Sequence, residues 1–120
     1  MTTIKSYSDL QQSKKLAEFL PLESADMRYA PFGDIHPWVW EGTFIERDAV
    51  PCWSLAALLS IINNIKGWYP GIDAQVEDNK WQICMFSRET GSNIDLSSIN
   101  EELIDVCYEV IVKLHDKKLI

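Results

Sequence analysis

The stretch from Val50 to Ile62, VPCWSLAALLSII, constrains the fold of this chain more than any other. Ser54 is suited to cap a helix, its hydroxyl accepting a hydrogen bond from a free amide of the first turn. Trp53 then precedes the cap and Leu58 falls at the fourth helical position. An apolar pair at those two places clasps across the helix start and sets how the chain enters it. Leu55, Leu58, Leu59 and Ile62 recur at i, i+3, i+4 and i+7, the spacing of a buried stripe. Ala56, Ala57 and Ile61 widen that stripe. The spacing predicts a central helix from Ser54 to about Asn64, covered on most sides and ended by Asn63, Asn64 and Gly67.

The elements around it follow from turn residues and periodicity. A first helix is expected from about Ser8 to Phe19, capped by Ser6 or Ser8, with Leu10, Leu16, Ala17 and Leu20 on its apolar face. Pro21 stops it, because proline restricts the residue before it and donates no helical hydrogen bond. Pro31, Gly33 and Pro37 then read as turn or loop. Ala25 to Ala30 is a candidate short strand. Trp38 to Glu46 is a better one, with Trp38, Trp40 and Phe44 on one face and Gly42 at a bulge. Ile72 to Ser87 reads as a hairpin turning at Asp78-Asn79. That turn sets Glu77 opposite Lys80, Val76 opposite Trp81, Ala74 opposite Ile83 and Ile72 opposite Met85. A one-residue slip would move this apolar set to the wet face. A third helix is expected from about Ile99 to Lys117, with a Ser98/Glu101 capping box and a stripe of Ile99, Leu103, Val106, Val110 and Leu114. Its acids near the start and lysines near the end match the helix dipole.

These elements imply an α+β fold in two layers, an antiparallel sheet of about three to five strands packed by three helices. A single domain is expected to span residues 1–120. The expected core is Leu16, Trp53, Leu55, Leu58, Leu59, Ile62, Val76, Trp81, Ile83, Leu103, Val106, Val110 and Leu114. At 120 residues and 47% hydrophobic, the chain can build this core without a disulfide or a metal. Eleven basic against eighteen acidic residues give a net charge of -7, which repels phosphate backbones and argues against a nucleic-acid partner. Cys52, Cys84 and Cys107 are odd in number and sit in apolar surroundings, as core cysteines of a reducing compartment do. The first residues, MTTIKSYSDLQQ, lack a signal-peptide core, and no apolar run approaches the roughly 20 residues that span a bilayer. The cytoplasm is the expected location, with no membrane partner.

Three stretches read together: QQSKKLAEFLP from Gln11 to Pro21, ESADM from Glu23 to Met27, and VPCWSLAALL from Val50 to Leu59. They resemble a family of short bacterial proteins of unknown function, often found in prophages and mobile elements of gut anaerobes. The resemblance covers the first half of the chain; the second half agrees in layout, with a Trp-bearing strand and a closing helix. It implies a small cytoplasmic α+β protein of accessory character and supplies no catalytic or binding residues.

Candidate chemistry is sparse. Cys52-Trp53 at a helix start is faintly similar to the arrangement in papain-like hydrolases, since helical amides stabilise a thiolate. Such an enzyme needs an imidazole base on the thiol, and His36 and His115 are the only histidines. Pro51 stands where the papain-like signature places residues of a Gly-x-Cys-Trp run, so a packed core cysteine is the stronger reading. Neither cysteines nor histidines fall at metal-ligand spacing, the five glycines are isolated, and no metal or cofactor is expected. Glu23/Asp26 and Glu46/Asp48 are paired acids, but Asp26 is better read as holding a backbone amide or pairing with Arg28 or Arg47. Aromatic residues give the best lead for binding. Trp38, Trp40, Trp68 and Tyr69 are the candidate binding residues, with Trp68-Tyr69-Pro70-Gly71 as the loop most exposed. The expected function is therefore that of a non-enzymatic protein-interaction accessory protein of a phage or mobile element. The alternatives are a small thiol-dependent hydrolase centred on Cys52 with His36, and a homodimer joined through the aromatic strand.

Overall fold

Ser54 caps the central helix as its sequence requires. In a computed structural model that describes residues 5–29, 35–37, 50–75, 79–91 and 97–120, its hydroxyl accepts from the Ala57 amide at 3.2 Å. The helix, α2, runs Leu55–Asn63. Trp53 and Leu58, the pair expected to clasp its start, are both fully buried in one core cluster. Before it come α1 (Leu10–Ala17), a 3-10 turn (Leu22–Ser24) and three short strands, β1 (Met27–Tyr29), β2 (Ile35–Pro37) and β3 (Val50–Cys52). After it come β4 (Trp68–Gln75), β5 (Lys80–Ser87), β6 (Ser97–Asn100) and α3 (Leu103–Asp116).

The fold is α+β with antiparallel strands, and the strands divide into two sheets ordered β2-β1-β3 and β4-β5-β6. Pro37, Pro51 and Pro70 lie in β2, β3 and β4, which are edge strands, where a missing amide donor breaks no central ladder. The loop expected at Pro37 is thus strand. The better strand candidate, Trp38 to Glu46, lies outside the described residues.

Helices α2 and α3 pack on each other and on the larger sheet, while α1 packs on β3. Of the expected core, Leu16, Trp53, Leu58, Ile62, Ile83, Val106, Val110 and Leu114 are fully buried, joined by Met85, Ile104 and Ile111. Leu55, Leu59 and Leu103 are partly buried against that core. Trp81 is not in it: the residue is 39% exposed. Trp81 is the second residue of β5, and its cross-strand neighbours are Ala74, itself exposed, and Asn100, so no large apolar side chain stands directly opposite it. Val76 lies outside the described residues.

Three boundaries differ from the sequence reading for identifiable reasons. Asp9, not Ser6 or Ser8, caps α1: its carboxylate accepts from the Gln12 amide at 2.8 Å and the Gln12 side chain accepts from the Asp9 amide at 3.0 Å. Leu10 is 42% exposed and contributes nothing to the core. The Ser98/Glu101 spacing forms no capping box, because Ser97–Asn100 pairs with β5 as a strand and α3 begins at Leu103. Ile99 is accordingly 47% exposed. In the hairpin, Ile72 pairs with Ile83, Ala74 with Trp81 and Gln75 with Lys80. This is a two-residue shift from the pairing set by an Asp78-Asn79 turn. A shift of two keeps every side chain on its face, so the hydrophobic pattern alone does not distinguish the two registers. Asn79 adopts the expected positive φ, 53°.

Candidate functional site

Cys52 ends β3 and is fully buried. The chain entering from the N-terminal side runs beside it: Ser8 donates its amide to the Trp53 carbonyl at 2.9 Å, and Leu55 donates to the Ser6 carbonyl at 3.0 Å. Ser8 thereby enters the interior with its hydroxyl. That hydroxyl accepts from the Trp53 amide at 3.1 Å, shares a 2.7 Å hydrogen bond with Ser13 and lies 3.6 Å from the Cys52 sulfur. The Ser8 carbonyl accepts from the Tyr29 hydroxyl at 2.8 Å, from the Cys52 thiol at 3.4 Å and from the Ser13 hydroxyl at 3.4 Å. Ser8, Ser13, Tyr29 and Cys52 thus form a polar node joining α1, β1 and β3, with its donors directed at protein acceptors.

The electrostatics of the node oppose thiolate formation. Burial pushes the Cys52 thiol above its usual value, and the Ser8 and Ser13 hydroxyls offset only part of that. Burial also drives Tyr29, pushed up to about 12, with the Cys52 charge as a lesser cause. His36 stands in the sheet row Pro51–Arg28–His36, next to the row of Cys52, Met27 and Pro37. Strand β1 lies between them, a backbone separation of roughly 10 Å at two strand spacings. The second histidine, His115, is stacked on Phe19 at 3.9 Å and leaves its Nδ1 buried without a partner. Cys107 is pushed up to about 12 by burial within α3. All three cysteines are free, and among the described residues no cluster of three or more His, Cys, Asp or Glu side chains is arranged to hold a metal.

The acid singled out in the sequence has a structural partner. Asp26 accepts from the Ser54 amide at 2.8 Å with one oxygen and from the Ser54 hydroxyl with the other. It fixes the cap residue of α2, which is the amide-holding role its surroundings suggested.

The aromatic candidates separate. Trp38 and Trp40 lie outside the described residues. Trp68 and Tyr69 lie in β4, not in a loop, so alternation sends them to opposite faces. Trp68 packs against the core, while Tyr69 is 39% exposed on the outward face. There Tyr69 stacks on Phe86 at 5.5 Å, and the Arg88 guanidinium sits 5.6 Å from the Tyr69 ring centre. Gly71 makes room for this stack: a Cβ there would stand 2.8 Å from a Phe86 ring carbon. The register continues the outward surface from Phe86 through Cys84 to Ile99. On the inward face Ile72, which pairs with Ile83 and lines a shallow depression beside α2, is 44% exposed. Sequence reasoning assigned Phe86 no role, and it placed Ile72, Trp81 and Ile99 in apolar layers.

No helix among the described residues is long and apolar enough to cross a membrane. Comparison of the chain with protein-family models, with curated proteins and with solved structures finds no match.

Proposed function

We propose that this chain works by binding another protein through the outward face of its larger sheet, as a non-enzymatic accessory protein. One observation carries the reading: Tyr69, Phe86 and Ile99 line that face, with Tyr69 held by a ring stack beneath Arg88. Tyrosine, phenylalanine and arginine are the side chains that interface centres favour, and a ring fixed in advance loses little entropy on docking. The placement of Cys52 lends the thiol-hydrolase alternative no support, because its sulfur is buried and its pKa is raised. A phage or mobile-element setting rests on the resemblance of residues 11–21, 23–27 and 50–59, and a cytoplasmic location fits the three free cysteines.

Affinity capture from the native host, followed by reconstitution with the purified partner, tests the proposal. A Tyr69→Ala, Ile99→Asp double variant should fold normally and lose at least about tenfold in affinity, as removal of a central aromatic anchor does. Unchanged affinity for the same partner would remove the sheet face from consideration.

A further inference from the structure

The connection between α1 and the 3-10 turn faces the last turns of α2 across a depression of about 590 Å³. Phe19 and Leu20, whose amides close the end of α1 on the Leu16 carbonyl, form one wall together with Pro21. Ala57, Ile61 and Ile65 form the other, at i, i+4 and i+8 along α2 and just past its end. The volume falls within the roughly 300–1,000 Å³ of small-molecule sites, which are likewise apolar with a few polar groups that fix orientation.

The polar groups around this depression are of one kind. Glu23 is the only charged side chain among the described residues that line it. Among the described residues its carboxylate has no hydrogen-bond or ion-pair partner. Asn64 lines the depression as well. Its amide nitrogen donates to the Ser60 carbonyl at 2.7 Å, which turns the side-chain oxygen into the available group, an acceptor. The Ser24 hydroxyl is committed elsewhere, donating to the Pro21 carbonyl at 2.6 Å and accepting from the Trp53 indole at 2.9 Å.

The helix end adds to this polarity. The last turn of α2 carries no basic residue, so the negative end of its dipole, beside Ser60, Ile61 and Asn64, is not offset from within the helix. Carboxylate, amide oxygen and helix end all favour a positive group that donates hydrogen bonds. The net charge of -7 supplies a longer-range field of the same sign.

We infer that this depression binds a small molecule with a compact apolar body and one primary ammonium group. The body lies between the Phe19 and Ile61 walls and the ammonium meets Glu23 and Asn64. A neutral molecule of the same shape fills the walls but leaves Glu23 without a counter-charge. An anion of that shape meets like charge at Glu23 and at the helix end. The site is separate from the outward face of the larger sheet, so the inference is independent of partner binding there.

The amide NMR spectrum of the full chain, titrated at neutral pH with phenethylamine, phenethyl alcohol and phenylacetate, tests one ring with three head groups. Phenethylamine should shift Phe19, Ala57 and Ile61 and bind about fivefold more tightly than the alcohol, the size expected of a partly solvated ion pair. Phenylacetate should bind more weakly than the alcohol. Glu23→Gln alters an exposed side chain and should leave the circular dichroism spectrum and melting temperature unchanged. It should also leave the affinity for the alcohol as it is and cut the advantage of the amine to less than about twofold. In the unaltered chain, about 0.5 M salt should narrow the same gap by screening the carboxylate. Shifts that are absent at millimolar ligand, or that fall on other surfaces, overturn the inference. So does equal affinity for amine and alcohol, or an amine preference that survives both Glu23→Gln and salt. Each of these failures leaves the sheet-face proposal standing, and loss of capture by the sheet-face variant leaves the amine site standing.

Discussion

Ser8→Ala strikes the point where the N-terminal segment is tied into the interior. Ser8 is fully buried, and its hydroxyl is the acceptor for the Trp53 amide at 3.1 Å. Alanine keeps the backbone bond from Ser8 to the Trp53 carbonyl at 2.9 Å and keeps the Ser8 carbonyl for Tyr29, Ser13 and Cys52. What disappears is the side-chain acceptor of a buried amide, and an orphaned buried amide costs roughly 1–3 kcal/mol. The volume lost is a single oxygen, so the cavity contribution is minor. Ser13 also loses its 2.7 Å partner but retains a longer 3.4 Å contact to the Ser8 carbonyl. The expected destabilisation is about 2 kcal/mol for Ser8→Ala, against about 1 kcal/mol for Ser13→Ala, which leaves the Trp53 amide satisfied. In urea, where the slope for a small protein is about 1–3 kcal/mol per molar, the Ser8→Ala midpoint should fall by about 1 M at unchanged slope. A change below about 0.5 kcal/mol, or a larger loss from Ser13→Ala, would refute the reasoning.

Ser54→Ala removes both the acceptor of the Ala57 amide and the hydroxyl held by Asp26, and chemical denaturation should report a loss of about 1–2 kcal/mol. Gly71→Ala forces its Cβ to 2.8 Å from the Phe86 ring; we expect about 1 kcal/mol of destabilisation and a displaced Tyr69 ring, seen as altered aromatic shifts in an NMR spectrum. Lys5 bonds Asp105 at 2.6 Å and Asp9 at 3.1 Å. Burial draws the Lys5 pKa down, but the two carboxylates outweigh it and hold it above the ordinary value. Asp9 is pushed up by burial, yet hydrogen bonds from the Gln12 amide and Lys5 leave it below the ordinary value. The Lys5 contribution is thus complete below its ordinary pKa and disappears as pH rises through the raised one. That of Asp9 is complete above its ordinary pKa and disappears as pH falls through the lowered one. Lys5→Met should therefore cost about 1 kcal/mol at neutral pH, a difference that narrows below about pH 4 and above about pH 10.5 in thermal melts. A difference constant from acid to alkali would contradict this coupling.

The central helix was the most legible part of the chain because cap, stripe and breaker all act within it. Ser54, Leu58, Ile62 and the Asn63-Asn64 end needed no distant contact to be read. The errors arose where a distant contact decided the outcome. Ser8 has the chemistry of a cap but is drawn inward by Trp53, leaving the Asp9/Gln12 pair to start α1. Ser97–Asn100 lacks β-branched periodicity and becomes a strand because β5 offers it a ladder. There the Ser98 hydroxyl bonds to Glu109 of α3, a contact no local pattern encodes. The outward face of the larger sheet was half legible. Tyr69 was recognised as exposed, but its stack on Phe86 depends on a register that face alternation leaves open by two residues.

Cys52 is part of the protein's interior, its thiol bonded to the Ser8 carbonyl. Alkylation of the native protein, followed residue by residue with mass spectrometry, measures this most directly. Half-buried Cys84 should react first, and Cys52 only as fast as the structure opens, at least about a thousandfold more slowly than in denaturant. Rapid, stoichiometric modification of Cys52 in the folded protein at neutral pH would contradict it.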